Sequence, residues 1–369
     1  MNYVLTAAGN GTRFLKSGIK PPKPLILVQG EELLLKSLRS FPLKSGDNVF
    51  FVTQKCHNIR SILSKKLSNI YPNVSMHWLE LDYIPNGQLL SAAEAIRHFN
   101  INDEFIVHNC DTSFDFIFDY LKDLLSSNPD CYSIVPVFNA PGDHWSFVKT
   151  SKKDSPIAIE LSEKKRISSN CSIGTYYFSA SSNFLCDVKD YVSYVEDKQR
   201  PGELYIAPFI NYMLHNKHKK VLIMPALNHK IYGTPKELCE SCGISHFELL
   251  SQNSWRAHQR KTLVVDVDGT LCGPPIKGDY NLCEPDREVI EKLRDHDKKG
   301  NYIILFTARN MRSFNGNIGL INKYTSPILL RWLDKYNVPY DEIVFGKPWG
   351  SGGVEYIDDK NTSVKDFVG

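Results

Sequence analysis

The stretch Lys261–Cys272 reads KTLVVDVDGTLC. Thr262–Val265 is a short apolar run rich in β-branched residues, and Asp266, Asp268, Gly269 and Thr270 follow at once. A run of that kind is expected to form a buried strand, because branched side chains pack well on a pleated surface. Side chains two apart on a strand point the same way, so Asp266 and Asp268 can share one site. Like charges roughly 5 Å apart in a buried place cannot both stay ionised without a cation or a shared proton. A divalent metal is the simplest resolution. The plain alternative is a strand followed by an acidic turn, since Asp-Gly is a common turn pair.

Working outward, Lys261–Gly369 alternates between patterns of strand and helix. Arg287–Lys298 and Ile328–Tyr336 have the apolar spacing of helices; Asn301–Phe306, Glu342–Phe345 and Gly353–Ile357 read as strands. Each strand ends on a residue with chemistry: Asp266 and Asp268, then Thr307, then Lys347, then Asp358 and Asp359. Alternation argues a parallel sheet with ligands at the carboxyl ends of its strands. Taken singly, Thr307 is equally a strand-end hydroxyl and Lys347 a turn lysine before Pro348. Arg309 and Arg312 either touch substrate or form a solvated face. About 40 residues separate successive motifs up to Lys347, too few for a large inserted domain. The site is expected to be open and shaped by the polar loop 310–325.

With all four motifs in order, together with FTARNM (306–311) and GKPW (346–349), residues 260–367 resemble the haloacid dehalogenase superfamily of phosphotransferases. Within it they are similar to the small phosphatases encoded with capsule or surface-polysaccharide genes. The resemblance implies that Asp266 attacks the substrate phosphorus. Asp268 then protonates the leaving alcohol and deprotonates water. Asp266, Asp358, Asp359 and the Asp268 carbonyl hold Mg²⁺, Thr307 donates to the phosphate, and Lys347 neutralises developing charge.

At the other end of the chain, Tyr3–Ala8 reads as a buried strand opening into Gly9-Asn10-Gly11-Thr12-Arg13-Phe14. Glycines let backbone N–H groups approach a phosphate, and Arg13 adds a planar cationic fork. A dinucleotide fingerprint would need a third glycine where Phe14 stands, and no G-x-x-x-x-G-K-[ST] occurs. Lys20-Pro21-Pro22-Lys23-Pro24 follows, an extended segment that can fix Lys23 near the same phosphates. Strands and helices then alternate as far as Glu104–His108. Asn86-Gly87-Gln88 precedes a helix of small residues, where a base or ribose could pack on backbone. Asp111, just past the strand Glu104–His108, is a hard-oxygen ligand suited to Mg²⁺ or an ordinary helix N-cap.

These features resemble the sugar-nucleotide nucleotidylyltransferases, the pyrophosphorylases with a Rossmann-like fold of GT-A type, over residues 1–238. The resemblance makes Ala8, Gly9, Gly11, Thr12, Arg13, Lys23, Asn86, Gly87 and Asp111 the nucleotide-binding residues. Arg13 and Lys23 hold the triphosphate, and Asp111 binds metal. Lys164, in Glu163-Lys164 before Ile173–Phe178, meets the acceptor phosphate; on its own it reads equally well as a surface lysine. Glu203, in Gly202–Tyr205, closes the acceptor pocket. Gly233-Thr234-Pro235 resembles the closing D-x-G-T-P, but Ile231 occupies the position of the second metal aspartate. Glu160, Glu163 or Glu203 could substitute, or one metal could bind through Asp111 and substrate phosphates alone.

The 369 residues suit two domains, each large enough to bury a core. A formal charge of +3 gives no strong field for nucleic acid or a membrane surface. No apolar run approaches the ~20 residues that span a bilayer, and since Met1–Thr6 reads as running straight into the first strand, no signal peptide is expected. The nine scattered cysteines fit reduced thiols in a cytoplasmic enzyme. Cys239-x-x-Cys242 with His246 is half a zinc site at most, since a structural zinc takes four ligands.

The expectation is therefore an α/β chain of two Rossmann-like domains: a GT-A-type nucleotidylyltransferase domain at 1–238, a linker at 239–260, and a small capless phosphatase domain of haloacid dehalogenase type at 261–369. The partners expected are a nucleoside triphosphate, with CTP favoured, and a small phosphorylated acceptor such as a polyol or sugar phosphate; nucleic acid and membrane are not. Mg²⁺ is the expected cofactor, and surface-polysaccharide or capsule precursors the expected product. The alternative is a phosphatase whose first domain has lost catalysis and only binds.

Overall fold

The computed structural model describes residues 1–369 apart from 153–154, 180, 199–201, 255–260, 351–352 and 357–358. It divides into two compact units, Met1–Asn253 and Ser254–Gly369.

The first unit is built on a ten-stranded sheet. Asn2–Ala7 pairs in parallel with Asn48–Gln54 on one side and Phe105–Asn109 on the other, and Asn48–Gln54 pairs in parallel with Ser75–Leu81. Because Asn2–Ala7 has neighbours on both edges and layers on both faces, Val4 and Leu5 are both wholly buried, the mark of an inner parallel strand. The expectation of a parallel sheet fails beyond Phe105–Asn109. There Thr175–Phe178 runs antiparallel to it and to Cys131–Asn139, and antiparallel pairings continue through Asn170–Ser172, Ser146–Thr150 and Ala158–Glu163. Of these pairs only Ser146–Thr150 and Ala158–Glu163 are consecutive in the chain, and their short connection reverses it.

One face of the sheet is covered by Gln88–Phe99 and Ile206–Asn216 around a core that includes Phe105, Phe178, Phe184 and Phe209. The other is covered by Leu33–Leu38, Ile59–Ile70 and Phe118–Ser127 around Phe41, Phe51 and Phe147.

Residues 239–253, expected in a linker, belong to this unit. Leu238 and Leu249, from the helices Pro235–Cys242 and His246–Gln252, are buried with Phe14, Ile19, Ile26 and Tyr232. The Asn253 amide both accepts from Leu27 N (2.7 Å) and donates to Leu27 O (2.8 Å). Cys239 and Cys242 lie against that cluster as helix thiols. Helices this short bury only one or two residues each, which is why their apolar periodicity is weak in the sequence.

The second unit holds a three-stranded parallel sheet in the order Thr262–Asp266, Tyr302–Thr307, Glu342–Phe345. Arg287–Lys298 and Ser326–Tyr336 pack on it around Leu293, Leu305 and Trp332. The expected loop 310–325 contains a helix, Ile318–Tyr324, capped by the Asn317 side chain. The expected strand Gly353–Ile357 does not form over its described residues: Gly353 has φ +92°, and Val354 and Tyr356 are exposed without a partner strand. Ile357 lies outside the described residues.

Candidate active sites

In the first unit a cavity of about 550 Å³ opens at the carboxyl end of Asn2–Ala7, lined from Thr6 through Phe14 and by Lys23, Gly87, Asp111, Glu203, Tyr205 and Gly233. Its size is that of a site for a small molecule. The glycine loop turns because Gly11 sits at φ +62°. A β-carbon there would lie 3.2 Å from Lys23 Cβ, so the glycine lets the loop close over the lysine. Lys23 Nζ in turn donates to Asp111 Oδ2 at 2.5 Å and to Gly233 O at 3.2 Å.

Asp111 caps no helix; it lies between the strands Phe105–Asn109 and Thr112–Asp115 and accepts a backbone bond from Tyr232 N at 2.8 Å. Burial works against its charge, but Lys23, with Arg13 adding to it, outweighs burial and holds the carboxyl below its usual range. Behind it His108 is fully buried between the Ser37 and Thr175 hydroxyls, each at 2.7 Å. Burial lowers its pKa to about 4, so it is a neutral support and not a charge in the site.

Gly87 lines the far wall, and Asn86 precedes it. Leu204 N donates to Asn86 O at 3.0 Å and Leu89 N to Leu204 O at 3.1 Å, so the two loops are stitched backbone to backbone. Gly87 has φ +98°, and a β-carbon on it would stand 2.4 Å from Leu204 O. Asn86 itself faces Gly202 O (2.9 Å) and is not among the cavity's lining residues. Nor is Lys164: its ammonium donates to the Tyr205 hydroxyl at 2.8 Å and lies over that ring, and Tyr205 donates to Glu203. Lys164 thus reaches the cavity through Tyr205, a residue whose importance the sequence reading did not single out. Its pKa is raised, chiefly by that hydrogen bond.

Ile231 pairs with Thr112, packs against the second core cluster, and has both its N–H and C=O bonded to Ser241 Oγ. Of the substitutes expected, Glu203 lines the cavity, whereas Glu160 pairs with Lys149 and Glu163 with Ser146 and Lys164. Glu237 escaped the sequence reading altogether. It is the third residue of the helix that Thr234 caps, and a β-carbon on Gly233 would lie 3.0 Å from its Oε2 and 3.9 Å from Asp111 Oδ2. The Thr-x-x-Glu spacing of a capping box was the available signal. Among the described residues no three of His, Cys, Asp and Glu gather as a metal-binding group. The donors at hand are hard carboxylate and carbonyl oxygens, which fit Mg²⁺ in kind.

With that geometry in view, known structures can be compared. The first unit has the fold of a nucleoside-diphosphate-sugar pyrophosphorylase. A structure of one from Vibrio cholerae RC9 is 24% identical, with TM-score 0.57, covering 66% of this chain and 100% of the other. A UDP-glucose pyrophosphorylase complexed with UDP-glucose is 16% identical with TM-score 0.51, over 66% of this chain and 97% of its own. The inositol-1-phosphate CTP transferase from T. maritima is 14% identical with TM-score 0.50, over 68% and 95%. No protein-family model matches the sequence, and no curated protein matches it.

The second unit brings together most of its expected residues at the carboxyl ends of its strands. Lys347 Nζ donates to Asp266 Oδ2 at 2.5 Å, and Lys347 N to Thr307 O at 3.1 Å. Thr307 is buried and its hydroxyl accepts from Arg309 N at 3.1 Å. Asp268 is held by Arg309. Burial pushes its carboxyl up, and Arg309 opposes that. Arg309 is neither solvated nor open to substrate: it is 2% exposed. Asp359 is exposed in a turn, and no contact joins it to Asp266 or Asp268 among the described residues; Asp358 lies outside them. Asp266 and Asp268 offer the hard oxygens that suit Mg²⁺. Among the described residues no helix is long and apolar enough to cross a membrane.

Proposed function

We propose that the chain carries two activities: transfer of a nucleotidyl group from a nucleoside triphosphate to a small phosphorylated acceptor, and hydrolysis of a phosphate monoester. The observation that carries the first is the Lys23–Asp111 pair on the wall of a cavity whose rim is the loop Gly9–Arg13. A phosphate oxygen of the acceptor bonds to the α-phosphorus, the bond to the bridging oxygen breaks, and pyrophosphate leaves. Positioning and charge neutralisation supply the rate. Ala8, Gly9, Gly11 and Thr12 present backbone to the phosphates; Arg13 and Lys23 supply cationic donors. Lys164, ordered by Tyr205, meets the acceptor phosphate, and Glu203 orients Tyr205. Asn86 holds the base-side loop in place. Mg²⁺ held through Asp111 would supply the remaining neutralisation.

CTP is the favoured nucleotide and a polyol or sugar phosphate the favoured acceptor, a reading supported by the fold shared with an inositol-1-phosphate CTP transferase. In the second unit Asp266 is the nucleophile, Asp268 the acid and base, and Thr307 and Lys347 the phosphate-binding groups. Asp266, Asp358, Asp359 and the Asp268 main-chain carbonyl would hold Mg²⁺ there. Two such steps in one chain suit the making of a surface-polysaccharide or capsule precursor in the cytoplasm.

Ile231, an apolar residue packed against the core opposite Thr112, favours a second reading in which the first unit only binds. A screen of the four triphosphates against phosphorylated polyols and sugars, reading pyrophosphate and inorganic phosphate separately, decides between them. Pyrophosphate release with any pair supports transfer. Phosphate release alone supports the binding module.

A further inference from the structure

Arg309 has a side chain 0% exposed to solvent. A guanidinium cut off from water must be met by anions or acceptors. Its Nε donates to both oxygens of Asp268, at 2.9 and 3.2 Å. Nη2 meets Cys272 Sγ at 3.1 Å and Cys283 Sγ at 3.9 Å, both weak acceptors. Nη1 is buried with no hydrogen-bond partner among the described residues. The Tyr280 ring lies beneath, 4.7 Å from centroid to Cζ. Among the described residues Asp268 is therefore the one strong partner of this cation. Its own side chain stays 34% exposed, so the carboxylate is gripped from the buried side and open on the other. Backbone bonding of Arg309 N to Thr307 Oγ1 ties the grip to the end of the neighbouring strand. Buried ion pairs add little net stability compared with apolar packing, so stability alone does not account for a cation placed here and left partly unsatisfied.

We propose that Arg309 is a positioning residue for Asp268, fixing its carboxyl in the orientation that delivers a proton to the leaving oxygen; the inference rests on the phosphatase reading given above. In the first step the Asp266–phosphorus bond forms, the bond from phosphorus to the leaving oxygen breaks, and the Asp268 proton goes to that oxygen. In the second, water oxygen bonds to phosphorus, the Asp266–phosphorus bond breaks, and the water proton returns to Asp268. Arg309 acts only through the Asp268 carboxyl that its Nε contacts, and forms none of the bonds that are made or broken. Its removal lets the Asp268 side chain turn among rotamers, and the proton is no longer aimed.

The test is leaving-group dependence in the full chain. Phenyl phosphate needs a proton on its leaving oxygen; 2,4-dinitrophenyl phosphate does not. Its readout is kcat/KM, which covers events up to loss of the leaving group. Arg309→Met is expected to lower kcat/KM for phenyl phosphate about 10²-fold and for the dinitrophenyl ester less than about fivefold. Arg309→Lys should fall between wild type and Arg309→Met, and Asp268→Asn should show the same split. If Arg309→Met loses its thermal unfolding transition, Arg309→Lys carries the decision. Equal losses on the two esters overturn the proposal while leaving the phosphatase reading intact. Wild-type protein that hydrolyses neither ester above the level of Asp266→Asn overturns that reading, and the proposal with it.

Discussion

Lys23 Nζ lies 2.5 Å from Asp111 Oδ2, joining residues 88 positions apart at the wall of the first cavity. The pair is half-buried, with the two side chains 14% and 26% exposed. Lys23→Met removes the cation from the triphosphate site and leaves Asp111 without its partner. Pyrophosphate release is expected to fall about 10²–10³-fold, the loss typical of one pre-aligned donor to a developing charge. A coupled pyrophosphate assay measures it. Lys23→Met with wild-type turnover would remove the lysine from the chemistry.

Gly87 tests the backbone stitch between the two loops. Alanine there meets Leu204 O at 2.4 Å and takes a φ of +98°, so Gly87→Ala should cost about 1–3 kcal/mol or more. Gly9, with nothing within 4 Å of its added carbon, is the control: Gly9→Ala should leave stability within about 0.5 kcal/mol. Urea denaturation of both variants gives the comparison, and equal stabilities would refute the stitch.

His108 sets an acid limit on the first unit. Its folded pKa is about 4 against 6.5 for the ordinary side chain. Between those values the unfolded chain binds more protons, so stability falls as pH drops from 6.5 toward 4 and this loss is complete below 4. Its full size is roughly 3 kcal/mol. Unfolding free energy followed by urea from pH 7 to pH 4 should show that slope, and His108→Gln should flatten it.

Asp266→Asn keeps the shape of the nucleophile and removes its charge. Phosphate monoester hydrolysis should drop to background, a loss of at least about 10³-fold. Pyrophosphate release should stay within twofold or so, because Asp266 and the first cavity belong to separately folded units. Inorganic phosphate and pyrophosphate read on the same samples check both halves.

Strand positions were legible because a buried strand must be apolar and β-branched wherever it lies. Tyr3–Ala8, Glu104–His108 and Thr262–Val265 carry that pattern, and each leads into a charged or glycine-rich turn; the last forms its strand but is not buried on both faces, since Val264 is 63% exposed. The helix His246–Gln252 was not legible, since it buries only Leu249 and the rest of its sequence answers to solvent, whereas Pro235 at a first helical position marks the helix Pro235–Cys242 before it. The direction of the strands after Phe105–Asn109 was not legible either, because an apolar strand reads the same whichever way its neighbour runs. The expected strand Gly353–Ile357 failed for a related reason: pattern proposes a strand, and only a partner makes one.

At the sites, the sequence by itself determined residue type: which carboxylates, cations and glycines are available, and that they stand where strands end. Tertiary structure decided who meets whom. It set Lys23 on Asp111, put Tyr205 between Lys164 and the cavity, brought Glu237 and Asp111 together at Gly233, and buried Arg309 behind Asp268. Those pairings join residues from about 40 to more than 120 positions apart. A charge carries no mark of its partner in a linear chain; Coulomb attraction and desolvation depend on distance and burial, which exist only once the chain has folded.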